Sequence, residues 1–162
     1  KSKEPAKVPR TDLTRVPLIT IDPHDARDHD DAVWAEEQPD GSWKVIVAIA
    51  DVAAYVTEGS ALDKEAEKRG NSTYFPDRVV PMLPFELSAE ACSLKEGELR
   101  PCLAVEMIFS KDGHKKAHRF LRATMRSAAK LAYEEAQAAI DGKPGGKAGE
   151  ILDTVLRPLW GA

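Results

Sequence analysis

The feature that most constrains this chain is a dense group of carboxylates between two short apolar segments. Five aspartates fall within ten residues: Asp22, Asp25, Asp28, Asp30 and Asp31. Residues 15–21 before them and 31–35 after them are rich in β-branched or apolar side chains and predict two strands. Carboxylates about 4 Å apart repel by on the order of a few kcal/mol in a partly screened site. A loop that gathers them therefore indicates a bound cation, which would offset the repulsion.

The oxygen-rich ligand set favours Mg²⁺, which one or two carboxylates commonly share with water and substrate phosphate. His24 and His29 are weaker candidates as ligands, because a hard cation prefers oxygen. A calcium-binding EF-hand requires acids at alternate positions, but the third and fifth positions counted from Asp22 are His24 and Ala26. A solvated acidic loop without a metal remains the alternative.

Strand alternation predicts that Asp30 and Asp31 point to opposite faces of the sheet. They then cannot hold one ion in the same way. Two metal ions, or one metal ion and an acid that orients water, would resolve this geometry. Two-metal sites cleave phosphodiesters by binding both the attacking and the leaving oxygen.

Composition excludes several classes of protein. The chain has 162 residues, of which 43% are hydrophobic, and this length and composition fit one globular domain. Its net charge of −4 excludes a uniformly basic nucleic-acid-binding protein. Cys92 and Cys102 have no zinc-site spacing and predict reduced, buried thiols of a cytosolic protein. No apolar run approaches 18 residues, so we expect a cytoplasmic protein without a membrane partner.

The remaining pattern predicts an α+β fold, with a mixed, largely antiparallel sheet and flanking helices. Residues 1–14 are rich in Lys and Pro and predict a linker or tail. Strands are expected at 43–50, 102–109 and 114–126, the last two joined by a hairpin turn. Helices are expected at 61–69, 86–91, 127–141 and 147–156. The first of them has Ser60 as its N-cap and Gly70 after its end, and the third has Ser127 as its cap.

The segment 114–126 alternates between an apolar and a basic face. The predicted core face carries Ala117, Leu121, Ala123 and Met125, and the other face carries Lys116, His118, Phe120, Arg122, Thr124 and Arg126. Arg122 and Arg126 are therefore candidate contacts for a polyanion such as RNA. The structural alternative is a solvated charged face.

Several motifs follow one another along the chain. The first is Thr20-Ile21-Asp22 followed by Asp28-His29-Asp30-Asp31-Ala32-Val33. Four further stretches lie at residues 49–52, 69–76, 81–94 and 129–135. In this order the motifs resemble the RNB family of exoribonucleases, the ribonuclease II and ribonuclease R group, and the resemblance extends over residues 10–162.

The resemblance implies a Mg²⁺-dependent enzyme that hydrolyses single-stranded RNA processively from the 3′ end and releases nucleoside 5′-monophosphates. It assigns the metal site to Asp22, Asp28, Asp30 and Asp31, with Asp30 tied most closely to the chemical step and Asp25 left out. It also places Tyr74 against a base near the scissile bond. Without the resemblance, Tyr74 is an ordinary core aromatic.

Catalytic domains of the family are considerably longer than this chain and are flanked by OB-fold domains. The resemblance thus implies a linker over 1–14 and the N-terminal portion of an RNB catalytic domain over 15–162, within a monomeric parent protein. Family catalytic domains also contain an arginine that binds phosphate, and the expected fragment lacks it. We therefore expect the isolated chain to be inactive, and a non-catalytic RNA-binding or regulatory module is the alternative function.

Overall fold

The computed structural model describes residues 7–162 and confirms the predicted fold class. Seven strands form one sheet in the order β1-β8-β7-β4-β3-β2-β9. They are β1 (Thr11–Asp12), β2 (Ile19–Asp22), β3 (Asp31–Glu37), β4 (Trp43–Ala50), β7 (Leu99–Phe109), β8 (Lys115–Arg126) and β9 (Ala129–Ala132). Neighbouring strands from β2 to β8 are antiparallel, while β1 and β9 add parallel edges. A separate two-stranded hairpin consists of β5 (Thr73–Tyr74) and β6 (Val79–Val80).

One face of the sheet is tightly packed because small residues line up across its centre. Ala32, Ala48 and Ala104 are in register on β3, β4 and β7, and all three are completely buried. The absence of large side chains lets residues 13–18, 50–55 and 87–94 pack closely against the strands, with Tyr55 and Leu94 among the buried contacts. This face forms the first hydrophobic core.

The opposite face is covered over β2, β9 and the part of β3 around Val33, but it is open at Asp31 and Ile49 and along much of β7 and β8. The helices α2 (Tyr133–Ile140), α3 (Gly146–Glu150) and α4 (Arg157–Gly161), together with a π-helical turn at Leu152–Leu156, form a second core on β2 and β9. Beyond it, Ile49, Leu103 and Phe120 are 45%, 44% and 69% exposed. This face of β4 is therefore only partly covered.

None of the helices described for residues 7–162 has the length and apolar character that crossing a bilayer requires.

The predicted helix over 127–141 is wrong in its first half. Residues 129–132 form β9, which pairs parallel with β2, and α2 begins only at Tyr133. Ser127 caps no helix, because its hydroxyl donates to the carbonyl of Ala129 at 3.1 Å. Ala129 and Leu131 are buried on one side of β9, so pairing with β2 and burial outweigh the helix propensity of this alanine-rich segment.

The helix predicted over 147–156 is also divided. It ends as α3 at Glu150, and the π-helical turn and α4 continue the chain to Gly161. Pro158 does not stop a helix. It lies in the first turn of α4, where backbone N–H groups have no partner within the helix, so a proline there costs no helical hydrogen bond.

Two smaller predictions were confirmed and one was not. Helix α1 (Ala61–Arg69) has Ser60 as its N-cap, and the π-helical turn at Glu86–Ala91 occupies the predicted short helix. In β8, Ala123 and Met125 are buried as expected. Ala117 is exposed, because residues 115–120 lie beyond the core.

The predicted linker contributes to the sheet. Its residues 1–6 lie outside the described part of the chain, but Thr11 and Asp12 pair with β8. Beside them, the Arg10 guanidinium donates to a carboxylate oxygen of Asp51 at 2.7 Å, and both side chains are nearly buried. The boundary expected at residue 15 stays a prediction.

We predict that Arg10→Ala lowers the free energy of unfolding by about 3 kcal/mol, because it leaves the Asp51 carboxylate buried without a partner. Arg157→Ala is the control, since the Arg157–Asp153 pair is exposed and its loss should lower stability by less than about 1 kcal/mol. Urea denaturation of both variants measures the difference. Equal losses would show that the Arg10–Asp51 pair does not anchor this segment.

Candidate metal centre and nucleic-acid interface

The acidic loop between β2 and β3 is held at its C-terminal end by backbone hydrogen bonds. The N–H of Ala50 donates to the carbonyl of Asp30 at 2.8 Å, and the N–H of Leu94 donates to the carbonyl of His29 at 2.8 Å. At the other end, the N–H of Ala26 donates to the carbonyl of Pro23 at 3.0 Å. The loop is thus fixed to β4 and to the segment 92–94 rather than extending freely into solvent.

The fold brings the four predicted aspartates into electrostatic contact. Partial burial raises the pKa of Asp30 above its usual value, and neighbouring carboxylates raise it further: those of Asp28, Asp31 and Asp22. Burial, followed by the charge of Asp22, also raises the pKa of Asp31. Asp25 is exposed and is not among the groups that shift these pKa values. Its exclusion from the site stays a prediction.

The donor set fits a hard cation that retains other ligands. Within residues 7–162, no group of three or more His, Cys, Asp or Glu side chains is arranged so that it could hold a metal ion by itself. Mg²⁺ commonly keeps several waters and takes substrate phosphate oxygens, so it needs no closed protein cage. The crowded carboxylates supply oxygen atoms and a negative field, which are the two properties such a cation requires.

Asp31 lies on the open face of the sheet. Its cross-strand neighbour is Ile49, and the same row continues through Leu103 to Arg122. Directly paired residues share a face, so these four side chains stand in line. Three inter-strand steps place Arg122 about 14 Å from Asp31, which is too far to touch the same cation.

Arg126, the second predicted basic contact, is at the end of β8. Its guanidinium donates to the carbonyl of Gly97 at 3.0 Å, and the side chain is exposed. Neither arginine therefore belongs to the acidic centre. Their role in binding RNA stays a prediction, and they would contact RNA along the sheet rather than at the carboxylates.

Tyr74 comes to the acidic centre from the β5–β6 hairpin. The charge of Asp28, followed by burial and the charge of Asp30, raises the pKa of Tyr74. The ring is 67% exposed, so it is not the core aromatic that its sequence alone would favour. Beside it, the Arg78 guanidinium lies 4.9 Å from the ring centroid of Phe75. The hairpin thus presents aromatic surface next to the carboxylates.

The contacts of His29 were not foreseen from the sequence. The residue is buried, and its Nδ1 lies 2.7 Å from Oδ2 of Asp22, whereas His24 is exposed. A separation of seven residues across a loop carries no periodic signal that could have indicated this pair. Lys130 also contacts the loop, because its Nζ donates to the carbonyl of Ala26 at 3.3 Å.

Comparisons with known proteins identify the family of this chain. A family model described as RNB domain matches residues 10–159. The chain is 51% identical over 139 residues to ribonuclease R of Vibrio parahaemolyticus, covering 86% of this chain and 17% of that protein. It is 47% identical over 127 residues to exoribonuclease 2 of Escherichia coli, covering 78% of this chain and 20% of that protein.

A solved structure, Mycoplasma genitalium RNase R in complex with ribose-methylated single-stranded RNA, matches with a TM-score of 0.89 and 33% identity. It covers 96% of this chain and 24% of the other. The chain thus spans about a fifth of the length of the curated relatives it matches. Because the family model matches nearly the whole chain, and the four aspartates of its first motif converge in the fold, the chain belongs to the RNB family.

Proposed function

We propose that this chain carries the metal-binding acidic centre of a 3′→5′ exoribonuclease. The enzyme would hydrolyse single-stranded RNA processively and release nucleoside 5′-monophosphates. The observation that carries the proposal is the position of Asp30, where partial burial and three neighbouring carboxylates raise the pKa of its carboxyl group. The names of the relatives support RNA as the substrate.

In this proposal, Asp22, Asp28, Asp30 and Asp31 hold Mg²⁺. The bound ion supplies positive charge that activates water and stabilises the phosphate as it is cleaved. The residues themselves position oxygen ligands at a rigid strand end, and Asp30 has the most direct role in the chemical step. Because the ligands come from a strand end and from a loop held by backbone hydrogen bonds, their carboxylates are close to one another before metal and substrate arrive.

RNA would approach across the exposed side of the centre. Tyr74 would stack on a base beside the scissile bond, a contact that tolerates any sequence because every base has a π-face. Arg122 and Arg126 would contact phosphates farther along the strand. RNA turnover of this kind fits a cytoplasmic enzyme, and we propose a monomer with flanking OB-fold domains.

The second candidate function is a non-catalytic RNA-binding or regulatory module. The exposed Phe120 and Arg122 on β8 favour it, since an aromatic ring and a guanidinium on one open face can bind RNA without the carboxylates. Incubation of the 162-residue chain with RNA and Mg²⁺ tests whether this chain is catalytic by itself. We expect no nucleotide release, and release that EDTA abolishes would show that the chain is catalytic by itself.

In a full-length RNB protein that carries this segment, Asp30→Asn should lower the rate of nucleotide release by about 100-fold or more, a typical effect of losing one charge-stabilising group. Labelled RNA with a single-stranded 3′ tail measures the rate. Asp25→Asn is the matched control, because the same substitution in the same loop removes a carboxylate outside the proposed site. Unchanged release by Asp30→Asn would refute the catalytic assignment.

The same variant should change stability in opposite directions with and without metal. Because the pKa of Asp30 is raised in the folded state, its ionisation destabilises the folded chain as pH rises through the raised pKa. Metal-free Asp30→Asn should therefore be more stable than wild type at neutral pH, by less than about 1 kcal/mol after solvent screening. The difference should disappear below the usual aspartate pKa.

Saturating Mn²⁺ should stabilise wild type by about 2–3 kcal/mol at 100 times its dissociation constant, and Asp30→Asn by less. Thermal unfolding at neutral and acidic pH, with and without metal, measures both effects. Asp25→Asn should follow wild type throughout. A metal-free Asp30→Asn variant that is less stable than wild type at neutral pH would contradict the repulsion argument.

Tyr74→Leu should weaken binding of single-stranded RNA by about 5-fold to 150-fold, the range that corresponds to about 1–3 kcal/mol of base stacking. Tyr74→Phe keeps the ring and should bind as wild type. Fluorescence anisotropy with labelled oligonucleotides in Ca²⁺ measures affinity without cleavage. Equal weakening by both substitutions would assign the contact to the hydroxyl rather than to stacking.

A further inference from the structure

His29 differs from the rest of the acidic loop, all of which the structure describes. Its neighbours in positions 23–30 are exposed or half-buried, whereas His29 is only 4% exposed. The ring points toward Asp22, and Nδ1 lies 2.7 Å from Oδ2 of that carboxylate. The Asp22 side chain is itself 13% exposed, so the contact is shielded from most competing water.

The chemistry of the pair fixes the position of one proton. A carboxylate oxygen only accepts hydrogen bonds, so Nδ1 of His29 must carry the proton and donate it to Asp22. Among the described residues, the Asp22 carboxylate has no other hydrogen-bond partner. Its second oxygen therefore stays available for another ligand.

Hydrogen bonds to the backbone of His29 fix the position from which its ring extends. The N–H of His29 donates to Oγ of Ser93 at 3.0 Å, and the N–H of Leu94 donates to the carbonyl of His29 at 2.8 Å. Ser93 and Leu94 are completely buried. The Nε of Arg100 adds a further bond to the carbonyl of Ser93 at 3.0 Å. The ring thus extends from a backbone position that is bonded to the buried segment 93–94.

We propose that His29 is a positioning residue for Asp22, and this inference rests on the metal site proposed above. By donating to Oδ2, His29 restricts rotation of the carboxylate and leaves the other oxygen to bind the cation. Groups that orient a metal-binding side chain in this way typically change metal affinity by about 10-fold to 100-fold when they are removed. A histidine buried only for packing would make no such contribution.

The test compares three histidine substitutions in the 162-residue chain, with Asp22→Asn as the reference for loss of the proposed metal ligand. His29→Leu keeps an apolar side chain of similar size and removes the hydrogen bond. His29→Asn places an amide N–H near the position of Nδ1 and should restore the bond. His24→Leu is the matched control, because His24 is an exposed histidine of the same loop.

Mn²⁺ binding, measured by electron paramagnetic resonance, should be about 10-fold to 100-fold weaker in His29→Leu. It should be within a few-fold of wild type in His29→Asn and unchanged in His24→Leu. If Asp22→Asn weakens Mn²⁺ binding while His29→Leu binds like wild type, the positioning role is refuted and the metal site stands. If wild type binds no Mn²⁺, or Asp22→Asn has no effect, the metal site itself fails and this inference fails with it.

A second measurement needs no substitution at His29 and no metal. Long-range ¹H–¹⁵N correlation spectra identify the protonated ring nitrogen of neutral His29 in the wild-type chain. The inference requires Nδ1–H, and a spectrum that shows Nε2–H would overturn it even if His29→Leu failed to fold.

Discussion

Repulsion among the carboxylates of Asp22, Asp28, Asp30 and Asp31 is the constraint on which the rest of the structure depends. Folding does not relieve this repulsion, since burial and neighbouring charge raise the pKa values of Asp30 and Asp31. The surrounding sheet must therefore supply enough stability to hold the loop in place. The two hydrophobic cores, one on each side of β2 and β3, provide that stability next to the loop.

Among the described residues, the scaffold fixes the loop through its backbone carbonyls rather than by pairing its carboxylates with lysine or arginine. Ala50 and Leu94 donate their N–H groups to the carbonyls of Asp30 and His29, and Nζ of Lys130 donates to the carbonyl of Ala26. The buried ion pair Arg10–Asp51 attaches the N-terminal segment instead. Negative potential thus remains at the centre, where a cation would be bound most strongly.

Much of this arrangement was predictable from the sequence because its signals are local. Strand alternation identified β3, β4, β7 and β8, and the capping pattern identified α1 with its boundaries. The first half of the segment 127–141 was predicted wrongly because its alanines favour a helix, while pairing with β2 is a contact more than 100 residues away in sequence. The His29–Asp22 bond was missed for the same reason, since no spacing rule describes two residues brought together by a loop.

The acidic centre has a rigid side and an open side. Asp22 is enclosed, and a buried histidine directs its carboxylate, whereas Asp31 is exposed beside Ile49 on the uncovered face. Ligands that must keep one geometry through many cycles belong on the rigid side, where no side chain has to be ordered again. Substrate that must enter and leave belongs on the open side. Covering the row from Ile49 to Arg122 would also remove water from Asp31 and strengthen its attraction for a cation, so occupancy of the open face and metal binding favour each other.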